Sequence, residues 1–437
     1  MNVMKSVLAS AALAIAAISA PAFADQNDPH GRFALGHLEV MDSNDNQAFR
    51  ASTVFYRYVQ SGILGEDNLS VNVDGAARFS DKDYNDGIPG GRVLMANVKY
   101  KKFLGFADVT VGRSFVEEFV SEMVDGMDAK IWLNESSGFG VFGGARPDPY
   151  KDTFNPDYNA WGGYVFTRTD IFGASGGYAL DTFKGTKDRE RANAYIYFMP
   201  AMEGFHFQAS VDLDNLNEEA DQESGHAAKK GWDVTNALAQ VNWRVSKSFV
   251  VSATYNDFHA INREASHGEW RVEMLEDRYT VARIRAEAGL WRSISLYGGA
   301  DQRNRQTDSK NATQMYAGLR DSDFFFNTRW DVRYSDMEYF TSKVKSLYAS
   351  IGATIMDNFN ADASVTWLTN NQNGQMGDLS QTIYELNMDY WITKNLYAVL
   401  SWQYSSEKYL DVKSVYSTRY ADNFNTTTLY GQLGYRF

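Results

Sequence analysis

From Phe205 to Asp214 (FHFQASVDLD) the chain alternates without a break. Phe205, Phe207, Ala209, Val211 and Leu213 fall on one face, and His206, Gln208, Ser210, Asp212 and Asp214 on the other. A period of two with one apolar and one polar side predicts a β-strand between two different surroundings. The pattern returns at Phe324–Ser335, where Phe324, Phe326, Thr328, Trp330, Val332 and Tyr334 oppose Asn327, Arg329, Asp331 and Arg333. It returns again at Asn358–Leu368 and at the end of the chain, Leu429–Phe437 (LYGQLGYRF). These segments are close to the roughly 9–11 residues that a tilted strand needs to cross hydrocarbon. A soluble sandwich does not explain so many apolar faces set against charged ones. In lipid every backbone polar group must be paired, so such strands have to close into a barrel.

Ten tight turns punctuate the pattern. They lie near Leu64–Asp67, Leu104–Gly105, Ser136–Gly138, Asp170–Gly173, Met202–Gly204, Ser246–Ser248, Trp291–Ser293, Asp321–Asp323, Met356–Asn358 and Thr393–Asn395. With Arg32–Met41 as the first strand, the expected fold is all-β: a transmembrane antiparallel up-and-down β-barrel of about 22 strands, within a range of 18–22. Longer polar segments should connect the opposite ends: Asp81–Gly90, Val116–Gly126, Pro147–Asp157, Leu216–Asp233, His259–Glu276, Asn371–Gly377 and Ser405–Asn423. Several are acidic, among them Glu117, Glu118, Glu122 and Asp125, and the default expectation for such a run is a solvated loop. Bridging by divalent cations to lipopolysaccharide phosphates is the alternative. Phe103, Phe139, Phe172, Phe205, Trp291, Phe324 and Phe359 lie beside the short turns, as an interfacial aromatic girdle requires.

The two ends of the chain sharpen this reading. Lys5, the apolar run Val7–Ile18 and the small-x-small site Ala22-Phe23-Ala24 form a secretory signal peptide, with cleavage expected before Asp25. The expected organisation is therefore a signal peptide over 1–24 and a barrel over 25–437. No later stretch approaches the ~20 apolar residues of a membrane helix. At the other end, Tyr435 and the terminal Phe437 resemble the C-terminal signature of Gram-negative outer-membrane β-barrels, which the barrel assembly machinery reads. That resemblance implies export to the outer membrane.

Composition fits a strand-built membrane protein. There are 27 Phe, 26 Tyr and 10 Trp, yet the mean hydropathy is −0.42, because aromatics turned to lipid are offset by a polar interior. Only 7 Pro in 437 residues suits continuous strand pairing. The absence of Cys excludes disulfides and a covalently attached c-type haem on this chain. A formal charge of −13, one unit more negative once Lys5 is removed, argues against nucleic acid as a partner.

Catalytic chemistry finds little support. Gly138-x-Gly140-x-x-Gly143 matches a dinucleotide fingerprint as a string, but it sits in an expected strand with no helix after it. Six scattered His show no metal-ligand spacing. No catalytic residue, cofactor or metal site is expected, and the chain is read as a non-enzyme. The functional content lies in the inward face, whose candidates are Arg78, Lys99, Lys130, Arg283, Arg285, Glu287, Arg329, Asp331, Arg333, Asp362, Glu385 and Asp389. Rings of charge in a pore set its selectivity. The two signs nearly cancel here, so no ion preference follows. Arg283/Arg285/Glu287 and Arg329/Asp331/Arg333 read equally well as structural ion-pair ladders.

As a whole the chain resembles a Gram-negative porin, with Gly112-Arg113, Asp125-Gly126 and Phe142-Gly143-Gly144 similar to a strand–loop–strand pattern of porin-like barrels. The resemblance implies passive diffusion of small hydrophilic solutes or ions, with the segment between Arg113 and Asp125 as a candidate constriction. About 22 tilted strands give a barrel roughly 40–45 Å across. Barrels of that size in TonB-dependent transporters carry a plug, whereas strands begin here within ten residues of the expected cleavage site, so no plug domain is expected. The alternative is the barrel sheath of a porin–cytochrome electron conduit enclosing a multihaem cytochrome. The expected partners are outer-membrane lipid, lipopolysaccharide and the assembly machinery, with a multihaem cytochrome or further copies of the chain left open.

Overall fold

A computed structural model describes residues 29–42, 48–63, 66–80, 90–119, 122–148, 153–200, 204–218, 229–259, 278–306, 311–339, 342–372, 378–409 and 424–437. Twenty-two strands follow in chain order. The first eight are β1 His30–Asp42, β2 Ala48–Ser61, β3 Leu69–Ser80, β4 Gly91–Phe103, β5 Ala107–Val116, β6 Glu122–Trp132, β7 Ser137–Ala145 and β8 Tyr158–Arg168. Next come β9 Phe172–Phe183, β10 Thr186–Phe198, β11 Phe205–Glu218, β12 Lys229–Ser246, β13 Phe249–His259, β14 Arg278–Trp291 and β15 Ile294–Arg305. The last seven are β16 Ala312–Asp321, β17 Thr328–Glu338, β18 Ser342–Met356, β19 Phe359–Gln372, β20 Asp378–Trp391, β21 Leu396–Tyr409 and β22 Phe424–Arg436.

Each strand pairs antiparallel with its sequence neighbours, and β1 pairs with β22, so the sheet closes on itself. Closure leaves no sheet edge, the condition lipid imposes on a strand-built wall. At the closing seam Arg32 stands opposite Arg436, and Gly31 and Phe437 exchange both backbone hydrogen bonds at 3.0 and 3.2 Å. The Phe437 ring lies 6.3 Å from that of Tyr58. If Phe437 serves assembly rather than the finished barrel, Phe437→Ala should lower outer-membrane yield and raise periplasmic aggregate, while the assembled fraction keeps its heat-modifiable gel mobility. Unchanged surface levels would remove the assembly-signal reading.

Alternation holds around the whole wall. Val111, Met127, Val141, Trp161, Val165, Ile284, Met315, Ile351 and Leu433 are 48–66% exposed on one face. The opposite face carries the buried charges Asp128, Lys130, Asp181, Arg191, Asp214 and Asp301. A belt of exposed apolar side chains this extensive on a closed barrel is the surface that lipid covers.

Three expectations are corrected. Strand β17 starts at Thr328, not at Phe324: Phe325–Asn327 form a single 3-10 turn, in which Phe326 has φ 56° and is 95% exposed. The cause is local. Asp321 Oδ1 accepts from the Asp323 N–H and the Thr328 hydroxyl donates to Phe325 O, side-chain bonds that compete with the ladder. Second, parts of the expected loops are strand, since β11 reaches Glu218, β12 starts at Lys229 and β21 reaches Tyr409. The expected loop positions 81–89, 120–121, 149–152, 219–228, 260–276, 373–377 and 410–423 and the expected turn positions 64–65 and 202–203 lie outside the described residues, as do 1–28 with the signal peptide and the expected cleavage site. Third, Val116–Gly126 is not a long loop, because β5 and β6 stay paired up to Val116 opposite Glu122.

A candidate pore lining and its inward-folded hairpin

The β5–β6 hairpin leaves the wall near its tip. Gly112 makes the bend possible: its φ of +113° is a conformation that side-chain-bearing residues rarely adopt. Beyond it Val116, Phe119 and Val124 are fully buried against Phe142, Ala160, Tyr164, Phe166 and Ala179. Those five lie on the polar side of β7, β8 and β9, alternating with the exposed Val141, Trp161, Val165 and Tyr178. The tip therefore folds onto the inner surface. The Phe119 ring sits 5.2 Å from Phe142, and the Arg191 guanidinium lies over it at 5.0 Å.

Charge fastens the same contact. Glu118, 6% exposed, accepts from Lys130 Nζ at 2.9 Å and Arg168 Nη2 at 2.8 Å. Glu122, 2% exposed, pairs with Arg191 and lies 3.6 Å from Arg146, which also donates to Asp181 at 2.7 Å. Asp128, on the same wall, accepts from the buried Tyr164 hydroxyl at 2.8 Å. The acidic run expected to be a solvated loop is thus overturned: two of its carboxylates are buried because four cations converge on them. Asp125, the last of the run, binds Arg113 bidentately at 2.5 Å.

The sequence-derived lining candidates all occur on the face opposite the apolar belt. Their partners are mostly on neighbouring or next-nearest strands. Arg283 on β14 donates to Asp301 on β15 at 3.3 Å, and Asp301 also accepts from Arg303 at 2.9 Å. Glu287 accepts from Arg320 Nε at 3.1 Å, two strands away. Arg329 donates to both oxygens of Asp362 at 2.6 Å, and Asp331 accepts from the Tyr297 hydroxyl at 2.5 Å. Glu385 accepts from Ser364 at 2.9 Å, and Arg78 stacks over Phe49 at 5.4 Å. Lys99 faces Thr110 across the β4–β5 ladder, and Asp389 faces Asn360 across β19–β20. Arg333 stacks over Tyr348 at 5.1 Å; among the described residues neither it nor Arg285 has a carboxylate partner. Inside both triplets the ion pairs thus run outward to other strands rather than along their own.

Sequence reasoning missed Glu118, Glu122, Arg146, Arg168, Asp181 and Arg191 as members of one cluster. The available signal was Val116, Phe119 and Val124, three apolar residues interleaved with acids in a segment assigned to solvent. Gly138, Gly140 and Gly143, the nucleotide-like string, lie in β7, where the rings of Phe166, Tyr164 and Trp161 cover the places their side chains would fill. No cluster of metal-ligating side chains occurs among the described residues.

No protein-family model matches the chain, and no curated protein sequence matches it. Solved structures do. OccK11 (OpdR) of Pseudomonas aeruginosa is 11% identical with a TM-score of 0.43, over 94% of this chain and 96% of that one. The ferric enterobactin receptor PfeA of Pseudomonas aeruginosa is 7% identical with a TM-score of 0.56, over 94% and 82%. The siderophore receptor PirA of Acinetobacter baumannii is 8% identical with a TM-score of 0.53, over 95% and 81%. At these identities the likeness is one of fold, and it is carried by the two receptors. Together with the closed wall and its apolar belt, it gives this chain the fold of a closed 22-stranded antiparallel β-barrel with a lipid-facing outer surface.

Proposed function

We propose that the barrel is a channel for passive diffusion of small hydrophilic solutes or ions across the outer membrane. One observation carries the reading: a polar, charged face runs around the inside of a closed wall whose outside is apolar. Among the described residues, charges such as Arg285 and Arg333 have no carboxylate partner, and a water-filled lumen solvates them at little cost, whereas a dry one does not. The inward-folded tip of β5–β6 narrows one sector of that lumen, and its buried ion pairs hold the narrowing in place.

The lining assignment has its own test. The chain has no Cys, so single-cysteine variants report without background. Arg333→Cys should react quickly with a membrane-impermeant thiol reagent, and Trp330→Cys should not. Equal labelling at the two positions would show that the register is wrong.

The function is decided on protein purified from native membranes. A channel should give open single-channel conductance from a haem-free preparation. The electron-conduit reading requires the opposite, namely a stoichiometric multihaem partner and poor conductance in the native complex. Finding that partner would replace the channel reading.

A further inference from the structure

Strands β4 and β5 are paired only in part. Their ladder runs from Phe103 opposite Ala107 to Ala96 opposite Arg113 and ends there. Strand β4 nonetheless continues to Gly91 along β3, and β5 continues to Val116 along β6. Beyond Ala96 the two strands diverge, because β5 leans inward with its hairpin. Such a split strips ladder groups of their strand partners, which lipid penalises heavily. Two side chains make good the loss. Arg113 Nη1 donates to Val93 O at 2.7 Å, and Asn97 Nδ2 donates to Arg113 O at 2.9 Å. Asp125 on β6 fixes the guanidinium that does this. The split is finished by specific side chains and is a built feature of the wall.

A cavity of about 640 Å³ lies within it, bordered by Val93, Ala96, Val111, Phe154 and the Arg113–Asp125 pair. Val93 and Val111 are 38% and 53% exposed, and both belong to the lipid-facing side together with Val98, just below the split. The cavity therefore opens from the apolar belt, lined by apolar side chains including Phe154 and by the Arg113–Asp125 pair. Its volume is within the roughly 300–1,000 Å³ of ordinary ligand sites.

We propose that the split β4–β5 seam binds one acyl-chain amphiphile of the surrounding membrane, its chain along Val93, Ala96 and Val111 and its polar head toward Thr153 and the Arg113–Asp125 pair. Continuity with the belt selects this occupant, since the surface next to the cavity already faces lipid chains. A protein partner adding a strand needs free ladder groups, and Arg113 and Asn97 occupy those at Val93 and Arg113. The proposal does not depend on whether the lumen conducts.

The test uses the full-length barrel in detergent micelles, with a bimane label on Val98→Cys or, as a control on the far belt, on Val165→Cys. Each is titrated with phosphatidylcholine brominated on its acyl chains. Quenching at position 98 should saturate near one lipid per barrel, whereas quenching at 165 should rise linearly. Adding Val111→Trp, which fills the cavity, should weaken the saturating component about tenfold. Linear, equal quenching at both positions would overturn the proposal, and this comparison stands even if the Trp variant does not fold. Saturation unaffected by Val111→Trp would also overturn it. A dimer that dissociates on filling the cavity would assign the seam to a second copy instead.

Discussion

Glu122→Ala should release the β5–β6 tip from the inner wall at a local cost of about 3–5 kcal/mol, the usual penalty for removing one member of a buried ion pair. The magnitude follows from what is left behind. Glu122 is almost completely buried, and its loss leaves Arg191 and Arg146 desolvated around a missing charge. The ladders of 22 strands are untouched, so heat-modifiable mobility should persist while the tip detaches. Detachment exposes Glu118, and a glutamate-specific protease added to the folded barrel should then give a cut after Glu118 that the wild type does not show, whatever cleavage both share at exposed glutamates such as Glu117. Single-channel current should change from steady to flickering. Replacing both Glu122 and Arg191 by Met should restore much of the protection, because apolar pairs of similar volume often substitute for buried ion pairs without loss. If Glu122→Ala stays protease-resistant with steady current, the tip is held without Glu122, by Phe119 with its apolar neighbours and by the Glu118 ion pairs.

Reversing Arg285 and Arg333 together to Glu should shift selectivity strongly toward cations. These two are chosen over Arg329 because Asp362 already compensates Arg329 at 2.6 Å, so its charge contributes less to the field in the pore. Adding four units of negative charge to one sector of the wall changes the potential met by every permeating ion, and the effect should fade as salt rises toward 1 M, where the screening length is about 3 Å. Reversal potentials in a salt gradient measure it. An unchanged reversal potential at low salt would place both side chains away from the ion path.

The strands were readable in the sequence because their signal is local. Between Phe205 and Leu213 each apolar residue repeats every second position, and nothing elsewhere in the fold can disguise that. The same rule placed Arg329 and Asp331 on one face, yet it said nothing of their partners. Those lie on β19 and β15, and depend on the register of intervening strands. The inward tip was illegible for a related reason. Glu117, Glu118 and Glu122 look alike whether they face solvent or cations, and the cations that bury Glu118 and Glu122 come from positions 130, 146, 168 and 191. Phe324–Asn327 failed differently: the alternation continues in the letters, but side-chain bonds from Asp321 and Thr328 close a turn before the ladder begins.

The pairing of β1 with β22 has a kinetic consequence. Every other pairing joins strands adjacent in sequence, as at Val116 and Glu122, whereas Arg32 and Arg436 meet across about 400 residues. Loop-closure entropy grows only logarithmically, about 0.6 kcal/mol for each doubling of length, so this one long-range contact is thermodynamically affordable. It is slow in another sense, because nothing rewards it until the intervening hairpins are in register. Until then the chain presents two unsatisfied edges, one from β1 and one from β22, each a template for mispairing with another chain. The ring closes in a single late step, and a defect anywhere along the sheet is felt at that step. A truncation or register slip in any one hairpin should therefore lower the yield of closed barrels rather than produce a stable smaller one.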